Sequence, residues 1–89
     1  MERAEILRCL VELAEQAGLE VRSARGDEDP PPRSGLCRVR DRVWLVLVRS
    51  EPIEDRIDVV AAALRAHAGE LLESRFLPPA VRELLDVDR

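Results

Sequence analysis

A chain of 89 residues with 18 acidic and 14 basic groups, net charge −4, has enough material for one domain around a small core and no room for a second. Charged residues make up 36% of it, and its longest apolar run, Val43 to Val48, falls far short of the roughly 20 residues of a membrane-spanning helix. The acidic balance argues against a general affinity for nucleic acid or anionic membranes, which is driven by clustered positive charge.

Residues 2 to 17 read as an amphipathic helix, with Ile6, Leu10, Leu13, Ala14 and Ala17 along one face and Leu7 and Val11 widening it. Its opening, MERAEILRCL, lacks the apolar stretch of a secretory signal, which with the composition predicts a soluble, cytoplasmic protein. Gly18 stands where a helix takes a left-handed final residue, and Leu19 can close the hydrophobic contact of that cap. Leu19 to Ser23 then alternates as a short strand. Residues 24 to 35, ARGDEDPPPRSG, are expected to form an acidic, proline-rich surface loop, because successive prolines remove backbone donors.

Leu36 to Arg49 predicts a hairpin turning at Asp41. Its first strand alternates Cys37 and Val39 with Arg38 and Arg40. The second is apolar on both faces, Trp44, Val46 and Val48 on one and Val43, Leu45 and Leu47 on the other, and so should be the most buried strand. The next helix starts near Ser50 to Pro52, with Glu51, Glu54 and Asp55 at the positive end of its dipole. Ile57, Val60, Ala61, Leu64 and Ala68 form its core stripe, and Ala61 to Ala63 permit close approach of a neighbour. Leu71 and Leu72 make a further apolar pair, Phe76 and Leu77 are expected to anchor the chain, and a last helix from Ala80 to Leu85 buries Val81, Leu84 and Leu85. The fold expected is α+β in the order α-β-β-β-α-α: a small, three-stranded, mainly antiparallel sheet packed with two main helices and a short C-terminal one.

The chemical inventory is short. There is one histidine, His67, no Tyr and no Lys, and none of Ser23, Ser34, Ser50 or Ser74 sits in a nucleophile elbow. Cys9 and Cys37 lie outside any metal-binding or redox spacing and read as free thiols behaving as small hydrophobes. A hydrolase built from one of them with His67 is an alternative that spacing leaves open; otherwise His67 serves the C-terminal end of its helix. Glu54 and Asp58 read as a solvated helix face. No catalytic, metal or cofactor-binding residue is assigned, and no cofactor is expected.

The distinctive polar feature is the arginine-rich hairpin. Arg33, Arg38, Arg40, Arg42 and Arg49 stand against Asp41 alone, a local charge of +4, flanked by acidic runs at 27–29 and 51–58. The arginines read first as a plain solvated face; if Arg38, Arg40 and Arg42 project together with Arg33 and Arg49 beside Trp44, the hairpin presents guanidinium forks to a protein partner or lies along a nucleic acid. With Trp44 and Phe76 the only aromatic rings, the protein partner, or a second copy of the chain, is the preferred occupant.

Helix, short strand, variable loop, SGLCRVRDRVWLVLV hairpin and RSEPIEDRIDVVAAAL leading into a second helix, together with the AGLEVR turn, resemble the front part of the ImmA/IrrE type of zinc peptidase domain. That family's activity depends on His-Glu-x-x-His, two imidazoles one helical turn apart with a Glu to polarise water. The best register places Ala62, Ala63, Leu64, Arg65 and Ala66 at those five positions, and neither register through His67 restores the motif. The resemblance therefore implies a non-catalytic relative, with no family site residue carried over. The functional expectation is a non-enzymatic interaction or regulatory domain on that scaffold, the nucleic-acid and thiol–histidine readings standing as alternatives.

Overall fold

A computed structural model describes residues 1–27 and 32–85. The elements are α1 (Arg3–Gln16), β1 (Glu20–Ala24), β2 (Gly35–Val39), β3 (Arg42–Val48), α2 (Ile53–His67), α3 (Gly69–Ser74) and α4 (Pro79–Leu85). This is the expected α+β order, with one short extra helix, α3. Gly69 starts that helix after the backbone breaks at Ala68, whose φ of −133° is not helical. The centre of the acidic proline-rich loop, 28–31, lies outside the described residues.

The longest strand, β3, is central, and the strand order is β1-β3-β2. The β2–β3 hairpin is antiparallel as expected, with Arg40 at its turn in the left-handed region (φ 59°). β1 pairs parallel to β3, Glu20 beside Trp44 through Ala24 beside Val48, so the sheet is mixed rather than mainly antiparallel. The reason is topological. β1 ends and β2 begins on opposite sides of the same end of β3, and parallel neighbours need a crossover connection instead of a tight turn.

That crossing packs against the end of β3. The Ser34 hydroxyl accepts a hydrogen bond from the Val48 N–H (2.8 Å), and the Arg49 N–H donates to the Ala24 carbonyl (2.9 Å). Gly26, at φ +93°, lies so close that a Cβ there would run into the Ser50 side chain and Val48.

The described helices all cover one face of the sheet. Leu45 and Leu47 of β3 join Leu10, Ile57, Val60 and Leu64 in the core, with Val21 and Val43 packed at its margin. Each fully buried leucine contributes about 1.5–3 kcal/mol through loss of contact with water. Ala61, Ala63 and Leu64 are buried within this chain while Ala62 is exposed, so the alanine run serves internal packing on one side only. α4 covers the helix pair with Val81 and Leu85, and Arg65 Nη1 donates to the Leu84 carbonyl at 2.9 Å. Phe76, expected to anchor the chain, is 87% exposed; its neighbour Leu77 takes the buried position.

Replacing Gly26 with alanine imposes a left-handed backbone penalty of about 1–2 kcal/mol before the clash with Ser50 is counted. Urea unfolding of Gly26→Ala should show at least that loss, and an unchanged midpoint would mean that the crossing does not hold the end of β3.

Candidate functional site

Because side chains alternate along a strand, the register divides the sheet cleanly. Glu20, Arg22 and Ala24 of β1, Arg42, Trp44, Val46 and Val48 of β3, and Gly35, Cys37 and Val39 of β2 share the face away from the core. Val48 is closed off by the crossing segment, whereas Trp44, Val46 and Val39 stay half-buried and Cys37 is exposed. β3 is the most buried strand, as expected, through Leu45, Leu47 and Val48, while Val43, Trp44 and Val46 are half-buried.

Trp44 sits at the middle of this open face. The Arg22 guanidinium lies 4.8 Å from its ring centroid, a cation–π contact that leaves the ring partly covered by charge instead of by apolar side chains. The Glu20 carboxylate accepts hydrogen bonds from Arg22 Nη2 (2.9 Å) and from Arg42 Nη1. Those two bonds, Arg42 first and Arg22 second, hold the Glu20 carboxyl below the usual carboxylate range. One carboxylate therefore orients two arginines around one indole.

The other arginines go elsewhere. Arg38, opposite Val43, is on the helix side of the sheet, Arg40 is in the turn, and Arg42 is on the open face bound to Glu20. Arg49 lies past the far end of β3, about 23 Å of strand from Arg42. Arg33 is exposed just ahead of β2. Arg40 and Arg42 line one shallow cleft with Glu20, Arg22 and Trp44, while Arg38, on the other face, and Arg49, past the end of β3, stand apart from it. Glu20 and Arg22, which complete the cluster, carry a sequence signal only in the alternation of LEVRS, since nothing in the sequence states that β1 adjoins β3.

His67 is the exposed last residue of α2 and makes no side-chain hydrogen bond among the described residues. It flanks a shallow cleft with Leu36, Cys37, Arg38 and Val43, but the Cys37 side chain belongs to the open face, and no hydrogen bond joins thiol and imidazole. Cys37 is exposed and so does not pack as a small hydrophobe. Burial, and then the charge of Glu12, pushes the Cys9 thiol up. Among the described residues, no three His, Cys, Asp or Glu side chains are placed to hold a metal. A separate cleft between α1, α2 and α4 sets Arg3, Asp58, Arg65 and Glu83 around Ala61 and Ala80. No described helix is long and apolar enough to cross a membrane.

No family model, curated protein or solved structure matches this chain.

Because the folded-state pKa of Glu20 is depressed, its stabilising effect is complete above the ordinary glutamate range and is lost as the pH falls through the folded value. Protonation releases Arg22 and Arg42, so the emission of Trp44, the sole tryptophan, should titrate with a midpoint below that of a free glutamate. Glu20→Gln should abolish that transition. Its persistence in a folded Glu20→Gln variant would show that another group controls the ring's surroundings.

Proposed function

We propose that this chain is a small, non-enzymatic cytoplasmic domain that acts through protein contacts, a peptidase-like scaffold without the zinc motif, and that the open sheet face around Trp44 is its contact surface. The observation that carries this reading is the half-exposed indole on a sheet face that no described helix covers, framed by Arg22, Arg42 and Glu20. An aromatic ring beside oriented guanidinium groups has the composition of a protein-contact hot spot. Arginines held in place by a carboxylate lose less conformational freedom on meeting a partner than free ones do.

The same geometry weighs against nucleic acid. A backbone-tracking surface needs arginines on one face, whereas here Arg38 and Arg42 lie on opposite faces and Glu20 offsets Arg22 and Arg42. The face also offers a single ring for base stacking.

Affinity capture from native cell extract should retain a specific protein with the wild-type chain and lose it with Trp44→Ala and with Arg22→Ala/Arg42→Ala, both checked for folding by circular dichroism. Retention of the same proteins by the folded variants would overturn the assignment of this surface. Fluorescence anisotropy of mixed DNA and RNA should stay flat at low salt; tight, steeply salt-dependent binding would overturn the protein-contact reading in favour of nucleic acid.

A further inference from the structure

The backbone of β2 has a free side, and the hydrogen bonds at the end of β3 fix which groups lie on it. The Val48 N–H points to the β2 side, at Ser34, and the Arg49 N–H points to the β1 side, at Ala24. By alternation, Arg42, Trp44 and Val46 direct their backbone groups to β2, and their register partners Val39, Cys37 and Gly35 direct theirs back. Leu36 and Arg38 therefore turn their N–H and C=O groups outward, and β2 is an edge strand with β3 as its sole neighbour.

We propose that this edge pairs antiparallel with β2 of a second copy, about a two-fold axis through Cys37, to give a continuous six-stranded sheet. The proposal rests on the reading of the chain as a protein-contact domain and names one partner for it. Cys37 is the middle residue of β2, so this register alone pairs all five of its residues, Leu36 with Arg38 of the partner and the reverse. The outward groups then meet in two reciprocal pairs of main-chain hydrogen bonds. The side chains are also complementary. Leu36, 41% exposed, comes under the aliphatic stem of the opposing arginine. Val39 comes opposite Gly35, where a Cβ position has nothing within 4 Å.

Charge favours the same register over one centred on Arg38. A shift that sets Arg38 directly against its own copy opposes like charges, whereas the Cys37-centred register brings Arg33 alongside Asp41 of the second copy at each end. Arg38 and Arg40 thus deter the alignment centred on Arg38, and the number of paired residues distinguishes the Cys37-centred register from the others. The contact is isologous and closes at two. It lies well below the roughly 1,600 Å² of a standard interface, so the dimer is weak and concentration-dependent.

The pairing brings the two Cys37 residues together at a non-hydrogen-bonded position, where Cα atoms stand about 4.5 Å apart, within the range of about 4.4–6.8 Å that a disulfide spans. That supplies a direct test with diamide. One thiol adds across its N=N bond, the second thiolate attacks that sulfur, and the S–S bond forms as the reduced hydrazine leaves.

Sedimentation of the full chain from micromolar to millimolar concentration should show its mass rising towards twice the monomer, with amide-exchange protection of Leu36 and Arg38 rising in step. Diamide should yield a dimer linked through Cys37 and not Cys9. Leu36→Pro removes an outward N–H that β3 does not use and is tolerated on an edge; it should weaken the dimer about tenfold or more and slow the cross-link accordingly. Should Leu36→Pro misfold, Cys37→Ser must still dimerise and protect both amides while losing the cross-link.

A monomer at every concentration overturns the proposal, as does a dimer unaffected by Leu36→Pro with both amides exchanging freely. Saturable protection of those amides by a peptide alternating Glu with Val, in a chain that stays monomeric, assigns the edge to an acidic strand and also overturns it. Capture that depends on Trp44 but is unchanged by Leu36→Pro, in a chain that stays monomeric, defeats the edge pairing alone; loss of the Trp44 dependence strikes the wider reading.

Discussion

The fold depends on β3 being hydrogen-bonded on both sides. A strand in that position has every backbone group committed, so its side chains alone decide what happens above and below the sheet. On one side Leu45 and Leu47 reach into the helices; on the other no described helix packs on Trp44 and Val46, and Arg22 of β1 lies over the Trp44 ring. Among the described residues the domain is thus a two-layer structure with one finished face and one open face. β1 and β2 each border β3 over five residues.

Electrostatics complete the open face in the absence of packing. Glu20 is the hinge of the arrangement, holding Arg42 from the neighbouring strand and Arg22 from its own. Arg22 in turn lies over the indole. These are exposed interactions of small individual worth, and their effect is on shape: two flexible side chains are kept in fixed places around a ring. The helical side works differently, with Arg65 reaching a backbone carbonyl of α4 where Val81 and Leu85 are already buried.

Much of this was legible in the sequence because it rests on short-range pattern. The 3.6-residue spacing of Ile6, Leu10 and Leu13 marks α1, the stripe from Ile57 to Ala68 marks α2, and alternation around Asp41 marks the hairpin. What stayed hidden is long-range. The parallel partner of β3 cannot be read from LEVRS, and without it the join of Glu20 with Arg42 is invisible. The arginine hairpin misleads for a related reason: Arg38 and Arg42 are close in sequence, but strand alternation sends them to opposite faces, and only Arg40 and Arg42 share the cleft of Trp44. Phe76 misleads through composition, since hydrophobicity does not reveal that Leu77 takes the buried place.

The parallel pairing also has a kinetic meaning. Cys37 finds Trp44 across a short local turn, whereas Glu20 must reach the same tryptophan from the far side of the crossing segment. Closing the larger loop costs more chain entropy before any contact offsets it, which favours formation of the hairpin as a local unit ahead of the docking of β1. The docking with the larger entropic cost is also the one that brings Glu20 and Arg22 to Trp44. The polar frame of the open face depends in this sense on the longer closure, and its integrity reports that the whole topology has closed.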